Sequence, residues 1–234
     1  MHEAIILAGG LGTRLQPVLK DIPKVMAPIG GRPFLEYLLD YMLGQNISHI
    51  VLSVGYQYQQ VIYHFGNKYR DIELTYAIEN EPLGTGGGIM LAMQQCHQDE
   101  VLIFNGDTLF TIDTRDFLYR HLHSIAPISI AMRQVEDVSR YGQIRTDERG
   151  LVTAFGEKSD KPEPGWINGG IYLINRNFFT YQNFTVPFSI EKDCFTVYYK
   201  QKLISGFPYH AYFLDIGVPE DFERAQDEFT RLAY

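Results

Sequence analysis

Strand and helix patterns alternate through the first half of this 234-residue chain, and that alternation limits it to a small set of folds. The apolar runs Ala4–Ala8, His49–Val54, Glu73–Ile78 and Val101–Phe104 read as strands. Between them, Phe34, Tyr37, Leu38, Tyr41 and Met42 recur at helical spacing within Pro33–Leu43, with Pro33 suited to the first turn. Tyr58–Phe65 and Gly86–Gln95 are two further helical stretches. Such alternation predicts an α/β fold: a mainly parallel sheet covered by helices on both faces, with ligands at the carboxyl ends of the strands. The glycine-rich turn after Ala8 and Asn105-Gly106-Asp107 after Phe104 both stand at such ends.

The second half reads differently. Strands are predicted at Pro127–Met132, Gln143–Thr146, Leu151–Phe155, Trp166–Ile174 and Tyr209–Leu214, with a hairpin turn at Asp147-Glu148-Arg149-Gly150 and a loop at Lys161–Gly165. Pro219–Leu232 forms an amphipathic helix with Phe222, Ala225, Phe229 and Leu232 on one side. No linker or internal repeat breaks the chain, so residues 1–234 are expected to form one domain, a nucleotide-binding half over about 1–110 continuous with a substrate-binding half over about 111–234.

Charge narrows the function. With 20 basic against 28 acidic residues the net charge is −8, and no basic cluster offers a nucleic-acid surface. No apolar run approaches the ~20 residues that span a bilayer, and Met1-His2-Glu3 lacks a basic secretory start. The expectation is a cytoplasmic protein with no membrane or nucleic-acid partner. Cys96 and Cys194 lie far apart and read as reduced structural thiols. His121 and His123 fall on different faces of a helix, a poor arrangement for a metal.

The turn Gly9-Gly10-Leu11-Gly12-Thr13-Arg14-Leu15 lets backbone N–H groups approach a phosphate with no Cβ in the way. It is not a P-loop, which needs GxxxxGK[ST]. It is not a dinucleotide fingerprint either, because Leu15 stands where the third glycine belongs. With the Arg14 guanidinium in the turn and Lys24 ten residues beyond, the cradle suits a nucleoside triphosphate.

Leu7-Ala8-Gly9-Gly10-Leu11-Gly12-Thr13-Arg14-Leu15 with Pro23-Lys24 resembles the signature of the sugar-1-phosphate nucleotidyltransferases. The likeness continues in order through Glu81–Gly87, Asn105-Gly106-Asp107, Phe155-Gly156-Glu157-Lys158, Asn168-Gly169-Gly170-Ile171-Tyr172 and Asp215–Asp221. The resemblance implies a Rossmann-like mixed sheet without the β-helix domain of longer relatives. It also implies a reaction in which a phosphate oxygen of a sugar 1-phosphate attacks the α-phosphorus of a nucleoside triphosphate and pyrophosphate leaves.

By the same resemblance, Arg14 and Lys24 are catalytic, holding the triphosphate tail and neutralising charge near the α-phosphate. Leu7, Ala8, Gly9, Gly10, Gly12, Thr13, Glu79, Pro82, Gly84 and Thr85 bind the nucleotide. Asp107, Gly142, Glu157, Lys158 and Asn168 bind the sugar phosphate, and Asp107 and Asp215 share a Mg²⁺. Hard carboxylate oxygens beside phosphates suit that ion. Taken singly, an aspartate at a strand end is more often a cap, Glu157-Lys158 an exposed ion pair, and Gly169-Gly170 a bulge.

A carboxylate accepts hydrogen bonds and cannot donate them. Glu79 could take both adjacent donors of guanine, N1–H and the exocyclic amine, whereas uracil and thymine flank one donor with two acceptors. Adenine and cytosine also present an amine donor, so the argument favours GTP over UTP and dTTP without deciding the base. Lys20–Lys24, Pro33–Asp40, Leu52–Tyr56 and Ile78–Gly87 are similar to the bacterial D-glycero-α-D-manno-heptose 1-phosphate guanylyltransferases, which make GDP-heptose for surface glycans. The chain departs from them at Gln16 and at Gly88, which replaces an alanine at a cost of up to ~1 kcal/mol in a helix. A hexose-1-phosphate nucleotidyltransferase using GTP, UTP, dTTP or CTP, and a non-catalytic nucleotide-sugar sensor, are the alternatives. The sensor is disfavoured because both cations and both metal aspartates are present. The oligomeric state is open, a homo-oligomer included.

Overall fold

His2–Leu7 runs as a strand because its residues bury alternately on two sides of one sheet: Ala4 and Ile6 face one core, Ile5 the other. The computed structural model describes residues 2–10, 19, 21–139, 142–157 and 162–229, with the backbone alone at Glu157.

In chain order the first half holds β1 (His2–Leu7), the hairpin of β2 (Pro28–Ile29) and β3 (Arg32–Pro33), β4 (Ile47–Val54), β5 (Lys68–Tyr69), β6 (Ile72–Ile78) and β7 (Glu100–Asn105). Helices α1 (Phe34–Leu43), α2 (Tyr58–Phe65) and α3 (Gly84–Met93) connect them. β6, β4, β1 and β7 are parallel neighbours in that order, which is the predicted α/β half.

The second half contributes β8 (Thr108–Phe110), α4 (Thr114–Leu122), β9 (Ile128–Val135), β10 (Gln143–Thr146), β11 (Val152–Glu157), β12 (Gly165–Asn175), α5 (Asn177–Tyr181), α6 (Thr196–Tyr198), β13 (Ile204–Tyr209), β14 (Phe213–Asp215) and α7 (Pro219–Glu228). β12 lies antiparallel to β7, and this pairing joins both halves into one ten-stranded sheet. The predicted turn closes the β10–β11 hairpin, its Asp147 carboxylate accepting from the N–H groups of Arg149 and Leu151.

Two departures from expectation have a tertiary cause. The strand predicted at Tyr209–Leu214 is two strands. β13 pairs parallel with β9, and after a break at 210–212 β14 leaves the sheet to pair antiparallel with β8. Apolar spacing reads the same on either side of a change of partner. The helix predicted from Gly86 starts at Gly84, because Gly86 N–H donates to the Phe188 carbonyl (3.0 Å), a contact that local sequence does not contain. Of the predicted Pro219–Leu232 helix, residues 230–232 lie outside the described residues.

Cys96 and Cys194 are buried free thiols. His121 is buried between Ser129 Oγ (2.7 Å) and Glu100 Oε2 (2.7 Å), while His123 caps α4. No helix among the described residues is long and apolar enough to cross a membrane.

Candidate active site

The carboxyl ends of β1, β4, β6 and β7 open onto two adjoining cavities of about 550 and 410 Å³ that share Leu7, Gly10 and Thr85. The two cavities thus meet in one cleft.

The larger cavity gathers the charged residues. Lys24 begins a short 3₁₀ turn (Lys24–Met26), and its Nζ lies 2.5 Å from Asp107 Oδ2. Asp107 follows β7 and takes a hydrogen bond from Thr108 Oγ1 to its other oxygen (3.1 Å). Asp215 ends β14 in register with Thr108, and Ile216 N–H donates to the Asp107 carbonyl (2.9 Å). Asp107 and Asp215, far apart in sequence, are therefore neighbours across the β8–β14 ribbon, and both line the larger cavity. Asp215 Oδ1 accepts from Gly217 N–H (2.6 Å), and a Cβ built on Gly217 would fall 3.3 Å from Lys24 Nζ. The ammonium accordingly reaches both carboxylates' surroundings. This donor set, hard oxygens only, fits Mg²⁺.

Gly142 and Asn168 line the same cavity from the second half. Asn168 sits where β12 slips register against β9, pairing with Met132 before Tyr172 pairs with Ile130. Gly170, at φ +75°, supplies the left-handed residue of this bulge. The bulge turns Asn168 inward: its Oδ1 accepts from Gly170 N–H (2.9 Å), and its Nδ2 donates to Tyr172 Oη and to Glu191 Oε1 (both 2.8 Å). Both amide hydrogens are thereby spent on protein partners.

Glu191 is a charged cavity residue that sequence reasoning missed. It lies in a π-helical turn, Ile190–Phe195, capped by Ser189, whose Oγ accepts from Lys192 N–H. Burial pushes its carboxyl pKa up; the Tyr172 hydrogen bond opposes this, and the neighbouring Asp107 charge adds to the rise. The fully buried Tyr172 hydroxyl donates to the same Oε1 (3.2 Å), and burial with Glu191's charge holds its own pKa far above the ordinary range. The turn is held against the start of α3 by Ile190 N–H donating to Thr85 Oγ1 (2.9 Å) and Phe188 N–H donating to the Leu83 carbonyl (3.1 Å). The signal in sequence, Ser189-Ile190-Glu191, was an ordinary cap followed by an acid.

The smaller cavity is lined by Gly9, Glu79, Pro82 and Gly84, joined by Ser53, Gly55 and Tyr56. Glu79 Oε1 accepts from Ser53 Oγ (3.2 Å) and Oε2 from Leu83 N–H (3.1 Å), which leaves each oxygen acceptor capacity. Gly88 abuts this carboxylate: a Cβ there would fall 2.9 Å from Glu79 Oε1 and 2.8 Å from Ser53 Oγ. The departure from alanine thus gives Glu79 room. Ala8 lines the larger cavity. Gly12, Thr13, Arg14 and Lys158 lie outside the described residues, as does the side chain of Glu157 at the end of β11.

The nucleotidyl transferase family matches residues 3–231. Over 226 residues, 97% of each chain, the sequence is 42% identical to D-glycero-alpha-D-manno-heptose 1-phosphate guanylyltransferase of Aneurinibacillus thermoaerophilus. It is 41% identical over 220 residues to the enzyme of the same name from Campylobacter jejuni, covering 94% of this chain and 96% of that one. Among solved structures, HddC from Yersinia pseudotuberculosis complexed with GMP-PN superposes with a TM-score of 0.85 at 35% identity, covering 98% of this chain and all of that one.

Proposed function

Because the chain belongs to the nucleotidyl transferase family, we propose that it transfers GMP from GTP to D-glycero-α-D-manno-heptose 1-phosphate, releasing pyrophosphate and GDP-heptose for bacterial surface-glycan synthesis. The observation that carries this reading is near full-length similarity to two enzymes of that name, joined to an acceptor-only Glu79 in the smaller cavity.

The chemistry brings two polyanions together, so positioning and charge neutralisation supply most of the rate. The base enters the smaller cavity, where Glu79 accepts from guanine N1–H and the exocyclic amine while Pro82 and Gly84 bound the ring. The phosphates pass over Leu7, Ala8, Gly9 and Gly10 into the larger cavity, with Gly12, Thr13 and Arg14 completing the cradle by resemblance. Lys24 neutralises charge near the α-phosphate. Asp107 and Asp215 would hold Mg²⁺, which when bound supplies positive charge to the reacting phosphates. The sugar phosphate meets Gly142 and the Asn168–Tyr172–Glu191 network, with Glu157 and Lys158 assigned to it by resemblance. An already ionised phosphate oxygen is the nucleophile, so no protein nucleophile or general base is required.

A pyrophosphate-release screen tests this, crossing GTP, UTP, dTTP and CTP with heptose, mannose and glucose 1-phosphates. GTP with the heptose substrate is expected to give the highest kcat/KM. Preference for UTP or dTTP would overturn the role of Glu79, and equal use of mannose 1-phosphate would overturn the heptose assignment.

A further inference from the structure

Away from both cavities, the amino end of the parallel strands brings together an acid and two imidazoles. Glu3 and Leu7 stand near opposite ends of β1, roughly 13 Å apart along an extended strand. Glu3 Oε1 lies 2.9 Å from His49 Nδ1, contributed by β4, and 3.0 Å from His97 Nδ1, contributed by the α3–β7 connection. The three ligand atoms fall within 4.8 Å of one another.

The surroundings fix these groups. Glu3 Oε2 accepts from the backbone N–H groups of His97 (2.6 Å) and Gln98 (2.7 Å), which turns Oε1 toward the imidazoles. The far nitrogen of His49, Nε2, lies 3.0 Å from Thr75 Oγ1. A hydrogen-bonded far nitrogen and a backbone-anchored carboxylate are the outer contacts that orient metal ligands. The Glu3 and His49 side chains are largely buried, while His97 is 86% exposed and leaves an entry path from solvent.

We propose that Glu3, His49 and His97 form a second metal site, separate from the Asp107–Asp215 pair and selective for a borderline divalent transition ion such as Zn²⁺. A tetrahedral zinc with bonds of about 2.0–2.1 Å sets its ligand atoms roughly 3.3–3.4 Å apart, so the two carboxylate–imidazole distances need to open by only a few tenths of an ångström, in a cluster no more than 4.8 Å across. Two imidazoles and one carboxylate suit zinc, whereas the all-oxygen pair suits magnesium, so the two ions do not compete for one place. Water takes the fourth position on the His97 side. With the ion on Nδ1, each neutral imidazole carries its single proton on Nε2, that of His49 facing Thr75 Oγ1, and the ion ties the α3–β7 connection to β1 and β4.

Metal-stripped, tag-free protein is titrated with Zn²⁺ by calorimetry in excess Mg²⁺, and its Tm is followed in parallel. One equivalent is expected to bind and raise Tm. His97→Ala, at an exposed position, should abolish both effects while turnover with Mg²⁺ stays unchanged. Thr75→Val, which leaves the ligands in place, should weaken binding about tenfold. No heat and no Tm change in the wild type would overturn the proposal, as would equal Zn²⁺ binding by His97→Ala.

Discussion

Lys24 Nζ and Asp107 Oδ2 lie 2.5 Å apart although 83 residues separate them in the chain. The pair is partly buried, with side-chain exposures of 12% and 32%. A cation placed there serves two ends: it offsets the repulsion between Asp107 and the carboxylate of nearby Asp215, and it faces the space where phosphates would collect.

Lys24→Ala is therefore expected to lower kcat by about 10²–10³, the usual loss when one fixed electrostatic partner of a transition state is removed. Circular dichroism should show an unchanged fold. Near-normal pyrophosphate release by this variant would remove Lys24 from the mechanism.

Asp107→Asn and Asp215→Asn each remove one negative charge from the proposed ion site. Activity should fall in both, and the Mg²⁺ concentration for half-maximal rate should rise. A titration of rate against Mg²⁺ checks this, and full activity at limiting Mg²⁺ in either variant would displace the site.

Glu191→Gln separates stability from function. Glutamine keeps an oxygen to accept from Asn168 and Tyr172, and it removes a charge whose burial pushes the carboxyl pKa up. Thermal stability at neutral pH should hold or rise. Glutamine adds a donor toward the cavity, so the KM for the sugar phosphate should rise more than the KM for GTP. Tm with the two KM values decides the matter.

Acid stability should depend on Glu3. Burial works to raise its pKa, yet hydrogen bonds from His97, His49 and the backbone of Gln98 and His97 outweigh that and hold it at about 2, below the ordinary 4.5. A depressed carboxyl pKa contributes stability that is fully present above the unfolded value and lost as pH falls through the folded one. Between about pH 4.5 and 2 the wild type should lose on the order of 2–3 kcal/mol from this group. Urea unfolding across that range should show a shallower pH slope for Glu3→Gln.

The parallel half was legible because its strands are buried on both faces and read as continuous apolar runs, Ile5–Leu7 and Ile50–Val54 among them. The positions of Asp107 and Gly10 at carboxyl strand ends followed from that pattern alone, whereas Glu79 came from the family resemblance. Glu191 was not legible, because a cap followed by an acid looks like any exposed helix start. Only the bulge at Asn168–Gly170 and the anchoring of Ile190 on Thr85 bring it into the cavity.

By itself the amino-acid sequence determined the α/β class, the glycine-rich turn after the first strand and the family resemblance, since these depend on local spacing and side-chain chemistry. The tertiary structure decided which distant groups meet. Lys24 joins Asp107, Asp215 is registered beside it by the β8–β14 ribbon, and Glu3 gathers His49 and His97. Those meetings depend on strand order and register, which the long-range hydrogen bonds of the folded chain set and no local window of residues encodes.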